Sequence, residues 1–199
     1  CCCFSQRSDP PSQSPKNTPC PSPLMSLPNF DFYVFALSWQ PSFCSGNYGS
    51  YPGCTDPSPS WSANLTVHGM WPQYLNGTWP QDCAGPGLDP ATPAEVGLDG
   101  LYLNWPNVKA SVADADYADF WDHEWTKHGT CSGLDQLEYF STALDVMPGT
   151  PEVVGSNVHG NATRAAIEGG YPRRVAVECR DGTYLSDVLV CLTKDTLEP

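Results

Sequence analysis

The 199-residue chain is predicted to form an α+β domain. Aromatic and β-branched runs, which are typical of strands, occur near Phe30 and again after Arg174, while the apolar spacing of helices occurs between them. Strands and helices do not alternate regularly, which argues against a parallel α/β sheet. We therefore expect one disulfide-stapled domain with a central, mainly antiparallel sheet packed with several helices.

The first part of the domain is predicted to contain two strands. The run from Phe30 to Trp39 is aromatic and β-branched, so we expect a buried strand there. Glycine, proline and serine dominate residues 40–62, which predicts a loop. Residues 65–68 are expected to form a short strand that enters a turn over residues 69–72.

The middle of the chain is predicted to contain the longer helices. Weak helical spacing occurs over residues 94–103, and residues 115–131 form a second helix candidate that carries a dense polar group. Apolar side chains at helical spacing predict a clearer amphipathic helix over residues 134–147, which Pro148 terminates.

The end of the chain is predicted to return to the sheet. Asn161 can cap one further helix, which ends at Gly169-Gly170. Residues 174–179 and 184–192 then have the pattern of two paired strands joined by a turn. We find no internal repeat.

Composition excludes several classes of protein. Hydrophobic residues make up 40% of the chain, which excludes disorder throughout its length. No apolar run approaches the ~20 residues that span a bilayer, so we expect no membrane partner. The net charge of -13 argues against binding nucleic acid through a broad basic surface. Residues 1–28 are rich in proline, serine and cysteine, which predicts an irregular arm before a domain over 29–199.

Cysteine usage indicates the compartment. Ten cysteines, none in a Cys-x-x-Cys pair, favour disulfides over a zinc ribbon. Three N-glycosylation triplets point the same way; they begin at Asn64, Asn76 and Asn161. We therefore expect a protein that is secreted or resides in the vacuolar or lysosomal lumen. The first residues lack the features of a signal peptide, so any targeting segment is expected to have been removed.

Three of the four histidines lie in two short polar and aromatic segments, residues 65–73 and 120–131. If the second segment is helical at about 100° per residue, four of its polar side chains share one face with Phe120 among them. These four are His123, Glu124, Lys127 and His128. Trp125 falls on the other side and is expected in the core. A solvated helix face is the alternative interpretation, but such a concentration of scarce basic residues favours a functional cluster.

Two kinds of catalytic site do not fit this spacing. The zinc-protease pattern His-Glu-x-x-His needs a second histidine four residues after the first. Lys127 occupies that place relative to His123, and its ammonium would repel a dication. We therefore expect neither a metal nor another cofactor. The Gly-x-Ser-x-Gly elbow of a serine hydrolase is also absent from the sequence.

The two segments resemble the active-site segments of the ribonuclease T2 family. They are Leu-Thr-Val-His68-Gly-Met-Trp71-Pro and Phe-Trp-Asp-His123-Glu124-Trp-Thr-Lys127-His128-Gly-Thr-Cys131. The resemblance extends from about Phe30 to Leu192. The chain departs from the family pattern at Met70, where the family has Leu, and at Ser38, where many members have Gln.

The resemblance implies an endoribonuclease that cleaves single-stranded RNA, with little base specificity, to a 2',3'-cyclic phosphate and then a 3'-phosphate. RNA supplies its own nucleophile, the 2'-hydroxyl, so the site needs only an acid, a base and positive charge. As the resemblance implies, His68 and His128 would be the acid and base pair. The sequence does not decide which is which, and we assign His128 as the base and His68 as the acid. Lys127 and Glu124 would stabilise the phosphorane, and His123 would hold the phosphate as an imidazolium.

Base binding is expected to depend on stacking. Trp71, Tyr74 and Phe120 are the candidates, and Gln73 can hydrogen-bond a base edge. Trp71 could equally be a core residue. His159 lies outside both segments and is expected in a loop.

The resemblance also implies three disulfides: Cys44 with Cys54, Cys83 with Cys131, and Cys179 with Cys191. The pairing of the remaining four cysteines stays open; they are Cys1, Cys2, Cys3 and Cys20.

We expect a monomer that does not act on DNA and works best at about pH 4 to 6, where protonation weakens the repulsion of RNA by the acidic chain. The alternative is a secreted binding or signalling protein on the same fold, with incidental or lost RNase activity.

Overall fold

A computed structural model describes residues 29–45, 49–156 and 160–198 of the chain. It contains four strands: β1 Phe32–Ser38, β2 Thr66–Gln73, β3 Val175–Arg180 and β4 Tyr184–Thr193. They form one antiparallel sheet in the order β2-β1-β4-β3. The predicted α+β class with an antiparallel sheet is confirmed. The arm over 1–28, with its four cysteines, and His159 lie outside the described residues.

The described residues also form eight α-helices, most of them short. They are α1 Gln40–Phe43, α2 Pro52–Thr55, α3 Thr92–Val96, α4 Leu98–Asn104, α5 Asp119–Lys127, α6 Gln136–Asp145, α7 Glu152–Gly155 and α8 Arg164–Gly169. Two 3₁₀ turns cover Pro59–Ser62 and Gly129–Cys131. None of these described helices is long and apolar enough to cross a membrane.

Aromatic side chains fill the core between the sheet and the helices. The largest fully buried side chains are those of Trp105, Trp121, Tyr139, Phe35 and Phe140. Aromatic residues of this size dominate the hydrophobic stabilisation of a small domain because each one removes a large apolar area from water. The indole of Trp121 donates a hydrogen bond to the carbonyl of Trp105 at 2.8 Å, which satisfies its polar atom. Trp125 is also buried, as its position on the helix predicted.

Strand β2 runs straight through the region where a turn was expected. Residues 69–72 continue the strand as far as Gln73, so the predicted turn is wrong. Proline is normally excluded from the middle of a sheet because it cannot donate a ladder hydrogen bond. Pro72 is tolerated because β2 lies at the edge of the sheet and pairs only with β1.

Other element boundaries differ in ways that local chemistry explains. The expected loop over 40–62 contains three short helical turns, each with a proline in its first two positions, where no backbone donor is needed. The weak helix over 94–103 is divided into α3 and α4 at Gly97, whose φ is +116°. Thr163, rather than Asn161, caps α8, because its hydroxyl oxygen accepts a hydrogen bond from the Ala166 amide.

Two of the three expected disulfides are present, Cys44–Cys54 and Cys83–Cys131. The pairing of Cys179 with Cys191 is wrong. In the β3–β4 hairpin Cys179 lies opposite Leu185, so Cys191 is displaced by roughly 20 Å along the strand at ~3.3 Å per residue. A disulfide needs Cα atoms within about 7 Å, and the register of the hairpin therefore prevents this bond.

The bond between Cys83 and Cys131 is expected to be a main source of stability, because it closes a loop with a sequence separation of 48 residues. Replacing both cysteines by alanine should lower the free energy of unfolding by about 4 kcal/mol in the chain-entropy model. Cys179→Ala is the matched control and should change it by less than about 1 kcal/mol. Denaturant unfolding monitored by tryptophan fluorescence measures both. Equal losses in the two proteins would contradict the assignment.

Candidate active site

A β-bulge presents His68 to a cavity. In the pairing of β1 with β2, Leu37 lies opposite Val67 and Ala36 lies opposite Gly69, so His68 is the extra residue. Such bulges commonly re-aim a side chain at the edge of a sheet. The side chain of His68 is 37% exposed and lines a cavity of about 640 Å³.

Helix α5 supplies the second set of polar groups. Glu124 is buried on the helix, while His123 is exposed and Lys127 is half-buried. His128 lies one residue beyond the helix end and is only 7% exposed. The four polar residues that were expected on one face therefore differ in burial. Glu124 and His128 are buried, whereas His123 is exposed and Lys127 is half-buried.

The indole of Trp71 joins the two segments. Its Nε1 donates a hydrogen bond to Glu124 Oε2 at 2.8 Å. The centroid of its ring lies 5.1 Å from that of His68 and 5.2 Å from that of His128. His68 Nε2 also lies 3.9 Å from Glu124 Oε1. Two histidines that are 60 residues apart in the chain thus contact one aromatic ring.

Three aromatic donors hold this part of β2. Besides the bond from Trp71, the indole of Trp105 donates to the His68 carbonyl at 3.0 Å, and the Tyr139 hydroxyl donates to the Met70 carbonyl at 2.9 Å. Gly69 lies between these bonds, where an added Cβ would overlap the Glu124 carboxylate and the Trp71 indole. The absence of a side chain at Gly69 is therefore required for the strand to approach α5.

The two buried groups have strongly shifted ionisation. Burial lowers the pKa of His128 to about 3, and the positive charges of Lys127, His123 and His68 add to the effect. Its Nδ1 is buried without a hydrogen-bond partner among the described residues. Burial raises the pKa of Glu124, against the opposing influence of His68, the Trp71 hydrogen bond and Lys127. This site therefore favours a neutral imidazole and a carboxyl group that holds a proton more readily than usual.

His123 has a less favourable environment for an imidazolium. Burial lowers its pKa, and the charges of Lys127 and His68 lower it further. Its expected role as a cation that holds phosphate would thus need the phosphate itself to offset these influences.

Asp187 belongs to the site although it lies in neither histidine segment. Its Oδ1 is 3.2 Å from His68 Nδ1 and accepts a hydrogen bond of 2.7 Å from the Ser38 hydroxyl. Burial alone would lower the pKa of His68, but the Asp187 hydrogen bond and the charges of Glu124 and Asp187 outweigh it and raise the pKa. The sequence carried one signal for this residue, since a lone aspartate within an apolar strand is uncommon.

One of the four expected base-binding residues lines the cavity, and the other three do not. Phe120 lines it together with Asn107 and Lys109, and the Phe120 ring lies 5.9 Å from that of His68. Trp71, Gln73 and Tyr74 are not among its lining residues. Because residues 69–72 are part of strand β2, Gln73 at its end and Tyr74 just after it lie roughly 16 to 20 Å from His68 at ~3.3 Å per residue.

Lys127 and His128 also lie outside the residues that line the cavity, whereas His123 and Glu124 line it together with His68. No group of three or more His, Cys, Asp or Glu side chains is arranged to hold a metal ion within the part of the chain that the structure describes.

Comparison with known proteins points to one family. The model of the Ribonuclease T2 family matches residues 30–199. Intracellular ribonuclease LX of Solanum lycopersicum is 39% identical over 119 residues, which are 59% of this chain and 47% of the relative. Ribonuclease MC of Momordica charantia is 33% identical over 187 residues, 83% of this chain and 91% of the relative. The matches span about half the length of the first relatives, LX among them.

Solved structures support the same relationship. The crystal structure of RNase NT in complex with 5'-AMP has a TM-score of 0.65 and 30% identity, over 83% of this chain and 87% of that one. Ribonuclease MC1 from the seeds of bitter gourd has a TM-score of 0.66 and 31% identity, over 83% of this chain and 90% of the other.

The histidine environments predict distinct titrations. From about pH 8 down to about pH 4 the His128 ring should remain neutral, because its pKa of about 3 lies well below this range. The His68 ring should take up its proton above the ordinary histidine pKa of 6.5 as the pH falls. Two-dimensional NMR of the ring C–H groups, assigned with His68→Gln and His128→Gln, measures both. Titration of both rings at the ordinary value would contradict the described burial and charge.

Proposed function

The chain belongs to the ribonuclease T2 family, and we propose that it is an endoribonuclease that cleaves single-stranded RNA by transesterification. The observation that carries the proposal is the placement of two histidines, whose pKa values are shifted in opposite directions, against one ring. His68 favours its cation and His128 stays neutral, and both contact Trp71. Cleavage of a ribose phosphodiester requires one group that carries a proton and one that lacks it at the same pH.

In the proposed reaction neutral His128 is the base and cationic His68 the acid. The 2'-oxygen forms a bond to phosphorus while its proton passes to His128. The bond from phosphorus to the 5'-oxygen breaks, and this oxygen keeps the electron pair and takes the proton of His68. The products are a 2',3'-cyclic phosphate and a 5'-hydroxyl end. Slow hydrolysis of the cyclic product, with the proton roles exchanged, leaves a 3'-phosphate.

Three further residues would stabilise the phosphorane. Lys127 supplies positive charge, and Glu124, whose raised pKa favours a proton, donates a hydrogen bond to a phosphate oxygen. The hydrogen bond from Trp71 orients this carboxyl group. His123 lines the cavity and would bind the phosphate, whose negative charge promotes its protonation.

The bases would bind mainly by stacking, with little base specificity. Phe120 is the best-supported platform because it lines the cavity beside His68. Trp71 contacts both histidine rings but does not line the cavity, so its stacking on a base would require the base to extend beyond the cavity. A role for Gln73 and Tyr74 would require the RNA to extend along β2 beyond the cavity.

The charge of the chain supports an acidic optimum, at about pH 4 to 6. In this range His128 is neutral and His68 is protonated. At higher pH His68 loses its proton, and the net charge of -13 repels RNA more strongly. A rate maximum on polymeric RNA above about pH 7.5 would contradict the assignment.

We also propose the compartment in which the protein acts. Its relatives include an extracellular and an intracellular ribonuclease of Solanum lycopersicum. The disulfides and the glycosylation triplets at Asn64, Asn76 and Asn161 favour secretion or delivery to a vacuolar or lysosomal lumen. We propose that the protein acts there as a monomer without a cofactor.

The proposal is tested with a single-stranded RNA and the DNA of the same sequence at about pH 5. The RNA should be cut to fragments with 2',3'-cyclic phosphate ends, detected by mass spectrometry, and the DNA should stay intact because it lacks the nucleophile. His68→Gln and His128→Gln should each lose about 100- to 10,000-fold in rate. His159→Gln, which alters the fourth histidine, is the matched control and should keep full activity.

Two results would overturn the proposal. Cleavage of the DNA would show that the 2'-hydroxyl is not the nucleophile. RNA left intact by the wild-type protein would favour a binding or signalling protein on this fold.

A further inference from the structure

We propose that Asp187 is a positioning residue that fixes the tautomer of His68 and holds its ring in the cationic form, supported by a cross-strand hydrogen bond from Ser38. This inference rests on the proposed RNA cleavage, in which His68 is the acid. It concerns a residue of β4 that is 119 positions away from His68 in the chain.

The contact is built into the register of the sheet. Ser38 on β1 lies directly opposite Asp187 on β4, and the Ser38 hydroxyl donates to Asp187 Oδ1 at 2.7 Å. On its other side Ser38 lies opposite Thr66 on β2, two residues before His68. The bulge at His68 then brings Nδ1 to 3.2 Å from the same carboxylate oxygen. Three adjacent strands therefore determine this one contact.

The contact determines which nitrogen of His68 faces the substrate. An ionised carboxylate only accepts hydrogen bonds, and the bonds from His68 and Ser38 lower the pKa of Asp187 although burial acts in the opposite direction. The Nδ1 atom of His68 must then carry hydrogen. The other nitrogen, Nε2, lies 3.9 Å from Glu124 Oε1 and is left as the atom that exchanges a proton with the substrate.

The charges around His68 show why Asp187 matters. The groups that face it are Glu124, Lys127 and His123 of α5, His128 after that helix, and Asp187 of β4. Among them, only the two carboxylates favour the imidazolium. Glu124 is itself buried with a raised pKa, so it loses its charge first as the pH falls. Asp187 is the carboxylate that stays ionised, and it directly bonds the ring.

In the reaction His68 starts with hydrogen on both nitrogens. As the bond from phosphorus to the 5'-oxygen breaks, the Nε2 proton goes to that oxygen and the ring becomes neutral. The Nδ1 proton remains in its bond to Asp187 throughout. The Asp187 carboxylate therefore orients the His68 ring and stabilises its protonated form. Asp187 itself neither gains nor loses a proton.

Asp187→Asn removes the charge but keeps an oxygen that can accept from Nδ1. The matched control is Glu178→Gln. Glu178 lies opposite Asp187 on β3 and is exposed, so the control removes the same charge without a contact to His68. Ser38→Ala removes only the supporting hydrogen bond and serves if Asp187→Asn fails to fold.

The kcat/KM of each protein is measured against pH on a dinucleotide. With Asp187→Asn, activity should fall by at least about tenfold at pH 7.5 and by less than about twofold at pH 4.5, because the proton of His68 is lost at a lower pH. Ser38→Ala should give a smaller loss in the same direction. Glu178→Gln should match the wild-type profile.

A second substrate identifies the step. A uridine 3'-phosphate ester with 4-nitrophenol as leaving group needs no acid, so Asp187→Asn and wild type should cleave it at rates within about twofold. NMR titration of the His68 ring in Asp187→Asn gives a readout that does not depend on RNA cleavage. An unchanged titration and superimposable pH profiles for Asp187→Asn and Glu178→Gln would overturn the role of Asp187. Failure of the wild type to cleave either substrate would instead overturn the proposed function.

Discussion

The hydrogen bond from the Trp71 indole to the buried Glu124 carboxyl group is the contact on which the rest of the site depends. It joins the edge strand of the sheet to the one helix that carries the other polar groups. The same indole contacts both His68 and His128. The contact requires a strand without a side chain at Gly69. The fold therefore creates the site by allowing β2 and α5 to approach each other closely.

Burial and charge act on the two histidines in opposite ways. His128 is buried against the Trp71 ring, and burial together with the charges of Lys127, His123 and His68 lowers its pKa, so it stays neutral. His68 opens to the cavity and contacts two carboxyl groups, so it favours the cation. Two identical side chains thus obtain different protonation states from their environments, a common means by which one site supplies both an acid and a base at one pH. The local geometry achieves this within a chain whose net charge is -13.

The sequence predicts the helix that carries several of these polar residues, because helical spacing depends only on a short segment. Helical spacing placed Glu124 and Lys127 on one face, and α5 shows that arrangement with Trp125 buried behind it. Features that depend on strand register were missed. The contact of Asp187 with His68 and the separation of Cys179 from Cys191 both follow from which residues lie opposite each other in the sheet. Nothing within either strand alone specifies this alignment.

The continuation of β2 through residues 69–72 was also missed because it depends on the topology of the sheet. Proline at position 72 suggests a turn when the strand is considered by itself, but it is acceptable once β2 is known to be an edge strand. Because β2 continues through residues 69–72, Gln73 and Tyr74 lie farther from His68 than a turn at these residues would place them. Short motifs therefore point to the histidines of the candidate site, while the sheet topology decides which other residues lie beside them.

We propose above all that His68 and His128, which both contact the Trp71 ring, act on the same phosphodiester. A crystal structure with a 2'-deoxy dinucleotide, which lacks the nucleophile and cannot be cleaved, tests it most directly. We predict a phosphate within hydrogen-bond distance, about 2.6 to 3.2 Å, of Nε2 of His68, with the 2'-carbon of the deoxyribose directed toward His128. A phosphate bound away from His68, or a His128 ring that the dinucleotide cannot approach, would contradict the account.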